Sequence, residues 1–475
     1  MTGHPSLNFI LKLLQLCGLG PFLTINYHHK IVQVTLLIFY NLCLVAFLTY
    51  NTVTGFLKNG RIASGCTRRS TLIKISFDVA DLLENFHFSF IGLRCLVFLG
   101  KGNSLWLNLV KVDDKFRKLE AEFNEKAMTL CLCAATVVHL SIYFIFLKAN
   151  DTVIGFHDLH DNTYSMFYAP PLLLNTLLNV AFNAFTLILH QRFWVINQFL
   201  KSFLVYYRNE KLTMTLRQLD WRNADYSIEK SISKHRSRRI SPLWRSMRNK
   251  TGPLGLVKNE KQPFWVMLKD DYCFTQSFYR RHNNSVDFVR QLKILHFRLY
   301  EVTDSLNSVF GYNLLFIFGI SFFGCIINFY FVIVYHLRSD QADQYVTCVY
   351  WMFYYIIRVI LIILCTNSAS AEANRTQDVL HNILNNTNFT DLSLQEELKA
   401  FCMQIYKCKV RFKAAGFFDI DFGTFFQFVA GVFSNVLFMI QFSKTNLKAI
   451  ENHNETEDSM IIYVVEDVQH EKHSN

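Results

Sequence analysis

Gly423 to Phe442 read GTFFQFVAGVFSNVLFMIQF, a stretch without a single charged side chain. Twenty residues of α-helix rise about 30 Å, the thickness of a bilayer's hydrocarbon core. Gln427, Ser434 and Gln441 recur at intervals of seven with Gly431 between them. In a helix they form one polar strip, and the remaining surface is mostly Phe, Val, Leu, Met and Ile. Neutral polar groups in a span either border water or bond to neighbouring helices, and the spacing leaves both readings open.

Upstream, six more blocks have spanning length: Ile31 to Val53, Ile73 to Phe98, Ala127 to Leu147, Pro171 to Leu189, Leu314 to Tyr335, and Val346 to Cys365. The 475 residues are 51% hydrophobic and 18% charged, with 46 Phe, a composition unlike that of a soluble enzyme of this length. The expected fold is an all-α membrane protein of seven transmembrane helices. The second block is the most polar, carrying Lys74, Asp78, Asp81, Glu84, His87 and Arg94. If it spans, its polar face looks into a cavity or a neighbouring helix.

Basic residues flank the spans unevenly. Lys111, Lys115, Arg117 and Lys118 precede the third; Lys201, Arg208 and Lys211 follow the fourth; Lys407, Lys409, Arg411 and Lys413 precede the seventh. The positive-inside rule makes those three connections cytosolic, with the N-terminus inside and the C-terminus outside. Lys58, Arg61, Arg68 and Arg69 run against that orientation. Glycosylation sequons are divided: Asn150 and Asn454 fall outside, and Asn374, Asn385 and Asn388 fall on the cytosolic side. The net charge of +11 gathers in the connection after the fourth span, where it suits anionic lipid headgroups and not nucleic acid. The twelve Cys are scattered without zinc spacing, no metal or cofactor is expected, and no removable signal peptide is read at the N-terminus.

The connections are expected to be partly helical. Leu292, His296, Leu299 and Leu306 keep helical spacing ahead of the fifth span, and Ser393 with Glu396 has capping-box spacing ahead of Leu398, Phe401 and Ile405. The chain divides into a four-span part at 1–198, a basic cytosolic connection at 199–313, the fifth and sixth spans at 314–367, a cytosolic helical connection at 368–422, the seventh span at 423–442 and an extracellular tail at 443–475. None of the seven Pro lies in the last three spans, and no repeat is visible. Both facts weigh against rhodopsin-like receptors and against transporters built on broken helices. His190 with Arg192, and Asp419 with Asp421, lack the context of a nucleophile, metal or phosphate site, so no enzyme is expected.

The seventh span resembles that of insect gustatory receptors, whose signature is Thr-Tyr, five apolar residues and Gln-Phe. Here Ser434 and Asn435 replace Thr-Tyr, and VLFMI then leads to Gln441 and Phe442. The approach AAGFFDIDFGTFF and the lead-in LHFRLYEVTDSLNSVFGYNLL, with Asn307, Phe310 and Gly311, are also similar to that family. Residues continue past Phe442 beyond the point where the family usually stops. The resemblance implies a plasma-membrane, ligand-gated, non-selective cation channel for a small-molecule tastant, assembled as a homo- or heterotetramer. In it the seventh spans, with Gln427, Ser434, Gln441 and Phe442, line and gate the pore, and helical extensions form a cytosolic anchor. Odorant receptors of the same superfamily share that design, and a transporter would differ by stoichiometric uptake.

A ligand pocket is expected in the outer half of the bundle. Asn175, Asn179 and Asn183 recur every four residues on one face of the fourth span. Asp78, Asp81 and Glu84 of the second span, His139 of the third, Asn328 and Tyr330 of the fifth, and Trp351 and Tyr354 of the sixth reach comparable depths. Amides and carboxylates bind hydroxyls or an amine, and aromatic faces hold rings, sugars or cations, so the set does not choose a tastant.

Overall fold

In the computed structural model, the described residues are 99–119, 121, 125–153, 172–173, 175–205, 207, 285–336, 342–386 and 391–441, with scattered helical positions from 39 to 90. They build a helical bundle: α1 (Leu99–Lys118), α2 (Glu125–Val153), α3 (175–205), α4 (Ser285–His336), α5 (Ala342–Asn386) and α6 (Leu392–Lys407). A two-stranded hairpin, β1 (Lys413–Ala414) and β2 (Phe418–Asp419), then leads to α7 (Phe422–Gln441). Among the described residues four helices are long and apolar enough to cross a bilayer, within Met128–Ile145, Ser285–Ile333, Cys348–Asn385 and Phe422–Gln441. Large apolar side chains such as Val137, Phe144, Phe323 and Phe433 stand exposed on these helices, as lipid-facing or partner-facing surface does.

The spine is the antiparallel pair α4 and α5. With 52 residues, α4 is about 78 Å long at 1.5 Å per residue, more than twice the hydrocarbon thickness. The spaced residues Leu292, His296, Leu299 and Leu306 are all buried on one side of it. The boundaries expected at 313/314 and 367/368 fall inside α4 and α5, each of which runs through without a break. α3 lies antiparallel to α4: Phe182 packs on Phe310 at 5.7 Å between ring centroids, Phe193 on His296 at 5.2 Å, and Phe203 on Phe288 at 6.0 Å. α1 presses Leu105, Leu109, Val112 and Phe116 into this core. Its last turn carries Lys115, Arg117 and Lys118, cations that suit the negative end of a helix.

α6 packs Leu394, Leu398, Phe401 and Ile405 against α4 and α5. Its cap is Asp391 and not Ser393, because the Asp391 carboxylate accepts from the Ser393 and Leu394 N–H groups at 2.9 and 3.4 Å. The helix therefore starts one residue before Ser393, and the capping-box spacing is coincidental. Lys293 meets Glu397 at 2.6 Å, and Gln404 donates to the Lys293 carbonyl at 2.9 Å, tying α6 to the lower part of α4.

Lys413 pairs with Asp419, and Ala414 with Phe418, in the hairpin. The turn places Ala415 at φ 52 and Gly416 at φ 82, and the Phe417 N–H donates to the Ala414 carbonyl at 2.9 Å. Two successive positive φ values match the right-handed strand twist, and glycine takes the second without a side-chain clash.

Candidate functional site

Asp421 starts α7 by accepting from the Thr424 N–H at 2.9 Å. At 100° per residue, Gln427, Ser434 and Gln441 fall within about 40° of one another on this helix. All three are exposed. The opposite face is packed: Phe428, Val432 and Val436 are 8%, 7% and 2% exposed. Phe428 meets Phe318 and Phe322 of α4 edge-on at 6.5 and 5.7 Å. Gly431 permits this approach, since a Cβ there would stand 3.0 Å from the Phe322 ring. The polar strip thus occupies the centre of the surface that α7 turns away from its own bundle. Among the described residues neither Gln427 nor Ser434 has a hydrogen-bond partner in its own chain. Asn435, beside Ser434, is satisfied along the helix by donating to the Gly431 carbonyl at 2.8 Å. Phe442 lies outside the described residues.

The charges ahead of α7 are already engaged. Asp419 pairs with Arg411 at 2.8 Å, and Asp421 is the helix cap.

On α3, Asn175, Asn179 and Asn183 are 0%, 3% and 3% exposed. Both polar atoms of Asn175 and Asn183, and Oδ1 of Asn179, are buried without a hydrogen-bond partner among the described residues. A buried amide left in this way loses about 1–3 kcal/mol, so three in a row mark a place where water or a ligand belongs. Parallel α5 reaches the same depth. From the bond between Asn197 Nδ2 and Glu372 Oε1 (2.8 Å), fourteen residues along each helix lead to Asn183 and Arg358. One turn further stand Asn179 and Tyr354, and another brings Asn175 to the level of Tyr350 and Trp351.

Trp351 and Tyr354 form an aromatic cluster with Tyr355, with centroids 5.4 to 5.9 Å apart. Asn328 is buried and donates to the Gly324 carbonyl at 2.7 Å, and Gly324 abuts the Tyr355 ring. Tyr330 is half-buried and stacks edge-on with Phe331 at 5.4 Å. His139 bonds its own helix through Nδ1 at the Ala135 carbonyl, 2.7 Å away. Trp351 and Tyr354 are therefore brought together, Asn328 stands one turn from the Gly324 that meets their cluster, and His139 is separately satisfied. Asp78, Asp81 and Glu84 lie outside the described residues.

Of the polar residues in the second block, His87 is described. It is fully buried, with Nε2 2.9 Å from Asn313 Oδ1 and its ring stacked on Phe316 at 5.2 Å, both on α4. Two charges are buried along α3 and α5. Arg358 is 5% exposed, and its signal was plain: a lone guanidinium inside the apolar block 346–365. Arg192 is not isolated at the end of the fourth span but bonds Asp113 of α1.

Residues 265–446 match the family model of the 7tm chemosensory receptor. Three curated proteins of Drosophila melanogaster align with the chain. Putative gustatory receptor 28b is 26% identical over 167 residues, 34% of this chain and 35% of that protein. Putative gustatory receptor 28a is 25% identical over 164 residues, 33% and 36% of the two chains. Gustatory receptor 68a is 26% identical over 157 residues, 32% and 39%. The C-terminal part of the chain is thus similar to insect chemosensory receptors. The aligned part spans little more than a third of each relative's length. The fold of the chain is similar to that of the insect olfactory receptor OR5 from Machilis hrabei in complex with eugenol. The TM-score is 0.51 at 11% identity, with 92% of this chain and 97% of that one covered. The chain is accordingly a multi-pass protein of the cell membrane, and the family that its C-terminal part matches is one of receptors and not of enzymes.

Proposed function

We propose that the receptor is a subunit of a ligand-gated, non-selective cation channel that detects a small-molecule tastant. The observation that carries this reading is the placement of Gln427, Ser434 and Gln441 at the centre of the unburied face of α7. A strip of that kind on lipid-exposed surface loses hydration without compensation. Around a shared axis it borders water and solvates cations. The reading uses a tetramer, homomeric or heteromeric, with four α7 helices around the pore and Phe442 beside Gln441 at its outer end. The N-terminus is inside, the C-terminus outside, and the lower parts of α4, α5 and α6 form a cytosolic anchor.

The ligand pocket in this reading is built on Asn175 and Asn179 with Asn328, Tyr330, Trp351 and Tyr354, and with Asp81, Glu84 and His139 from the second and third spans. The buried, unpartnered amides of α3 support it. The gustatory relatives favour a tastant over an odorant.

The test is expression of the full chain in oocytes, with sugars, amines and plant alkaloids applied under voltage clamp. A tastant-evoked cation current is expected. Stoichiometric substrate uptake without such a current would sink the channel reading in favour of a transporter.

A further inference from the structure

The hairpin ahead of α7 is gripped by side chains from two different helices. Asn307 of α4 donates from Nδ2 to the Arg411 carbonyl at 2.8 Å and accepts at Oδ1 from the Lys413 N–H at 3.1 Å. Asn374 of α5 donates to the Val410 carbonyl at 3.2 Å and accepts from the Val410 N–H at 3.3 Å. An amide side chain that satisfies a backbone donor and acceptor together does what a neighbouring strand does in a ladder. Two helices thus supply the edge that this two-stranded hairpin lacks.

The grip is close and leaves little slack. One turn beyond Asn307, a Cβ on Gly311 would stand 2.8 Å from the Ala415 nitrogen and 3.1 Å from its Cα. Both neighbours are backbone, so neither can swing aside. The Thr366 hydroxyl of α5 reaches the Ile420 carbonyl at 3.2 Å. Within the hairpin, the Ile420 N–H donates to the Phe412 carbonyl at 2.8 Å, and Phe412 is buried edge-on to Phe182 of α3. The next residue, Asp421, is already the cap of α7.

We infer that Asn307 and Asn374 are positioning residues that set the axial rotation of α7. A relative slide of α4 against α5 moves the two amides apart, turns the hairpin held between them, and rotates the polar strip. The inference rests on the reading of α7 as the pore-lining helix for its effect on current, but the grip itself does not.

Hydrogen exchange on the full chain in detergent micelles, followed at Val410, Lys413 and the first two turns of α7, tests the grip without any agonist. Ligand-independent current per surface receptor, recorded in cells, is the second readout. Asn307→Ala and Asn374→Ala are each expected to speed exchange of the hairpin amides roughly tenfold, as loss of paired hydrogen bonds does, and to speed the first turns of α7 with them. Ligand-independent current changes in both. Asn307→Asp keeps the acceptor for Lys413 and sets a carboxylate oxygen against the Arg411 carbonyl, so Lys413 stays slow and the loss falls on the Arg411 side. That variant carries the test if the Ala forms do not elute as a single species.

Faster exchange confined to residues 410–413, with α7 and the current unchanged, overturns the inference by making the amides merely local braces. Unchanged exchange in α7 in every variant overturns it whatever the current does. Faster exchange in α7 with no current from any form upholds the positioning role and refutes the channel reading instead.

Discussion

Arg192 and Asp113 are joined by two parallel hydrogen bonds, Nε to Oδ1 and Nη2 to Oδ2, both 3.1 Å, with only 2% and 3% of their side chains exposed. Gln191 takes a third donor through its Oε1. The planar fork of the guanidinium matches the carboxylate, which is how a pair can be buried where α1 meets α3. Removing one partner strands the other charge, a loss of roughly 3–5 kcal/mol. Arg192→Leu and Asp113→Leu are each expected to lower thermal stability in detergent and surface expression, and the double variant to recover much of both. A double variant as unstable as the singles plus one another would mean that the pair contributes by packing alone.

The outward strip on α7 predicts a pattern of accessibility. Cysteine at Gln427, Ser434 or Gln441 should react with water-soluble thiol reagents and block current faster than cysteine at Val429 or at Val436, which is 2% exposed. Protection of the three strip positions with reaction at the valines would remove α7 from the pore. In the same reading Phe442→Ala raises ligand-independent current, and Gln441→Ala alters ion permeability or rectification with little change in agonist sensitivity.

If the amides of α3 meet the ligand, Asn175→Ala and Asn179→Ala should shift the agonist dose–response by roughly fivefold, the scale of one net hydrogen bond. Leu173→Ala and Leu177→Ala serve as neighbours on the same helix. Comparable shifts at all four positions, with equal surface levels, would assign the asparagines to packing.

Orientation is open to a direct measurement. A tag after Asn475 should label on intact cells, and a tag before Met1 only after permeabilisation. The opposite pattern contradicts the inside N-terminus and, with it, the order of the strip from inner to outer mouth.

Much of this architecture is readable in the chain because it is periodic and local. The seven-residue recurrence on α7 and the buried Leu292, His296, Leu299 and Leu306 on α4 need only a helix to acquire their meaning. The α6 cap differs from the sequence expectation because Asp391 and Ser393 are both good capping residues, and only the N–H directions decide between them. Asn307 and Asn374 were opaque for a different reason. Their partners are backbone groups roughly a hundred and several dozen residues away, and no side-chain pattern announces a main-chain edge. The same distance hid Arg192 from Asp113, 79 residues apart. For the proposed pocket, the amide row on α3 stands out by its spacing, but which α4 and α5 residues share its depth depends on the register of three helices.

The uninterrupted length of α4 also constrains how this chain can diverge. In a rod of 52 residues, one inserted or deleted residue turns everything beyond it by about 100° relative to everything before. An indel between Leu299 and Phe322 would swing the Phe322 contact with α7 to another side while the lower face stayed registered on α6. Natural variation in this helix should therefore proceed by substitution at fixed length, with gains and losses of residues confined to the connections at either end.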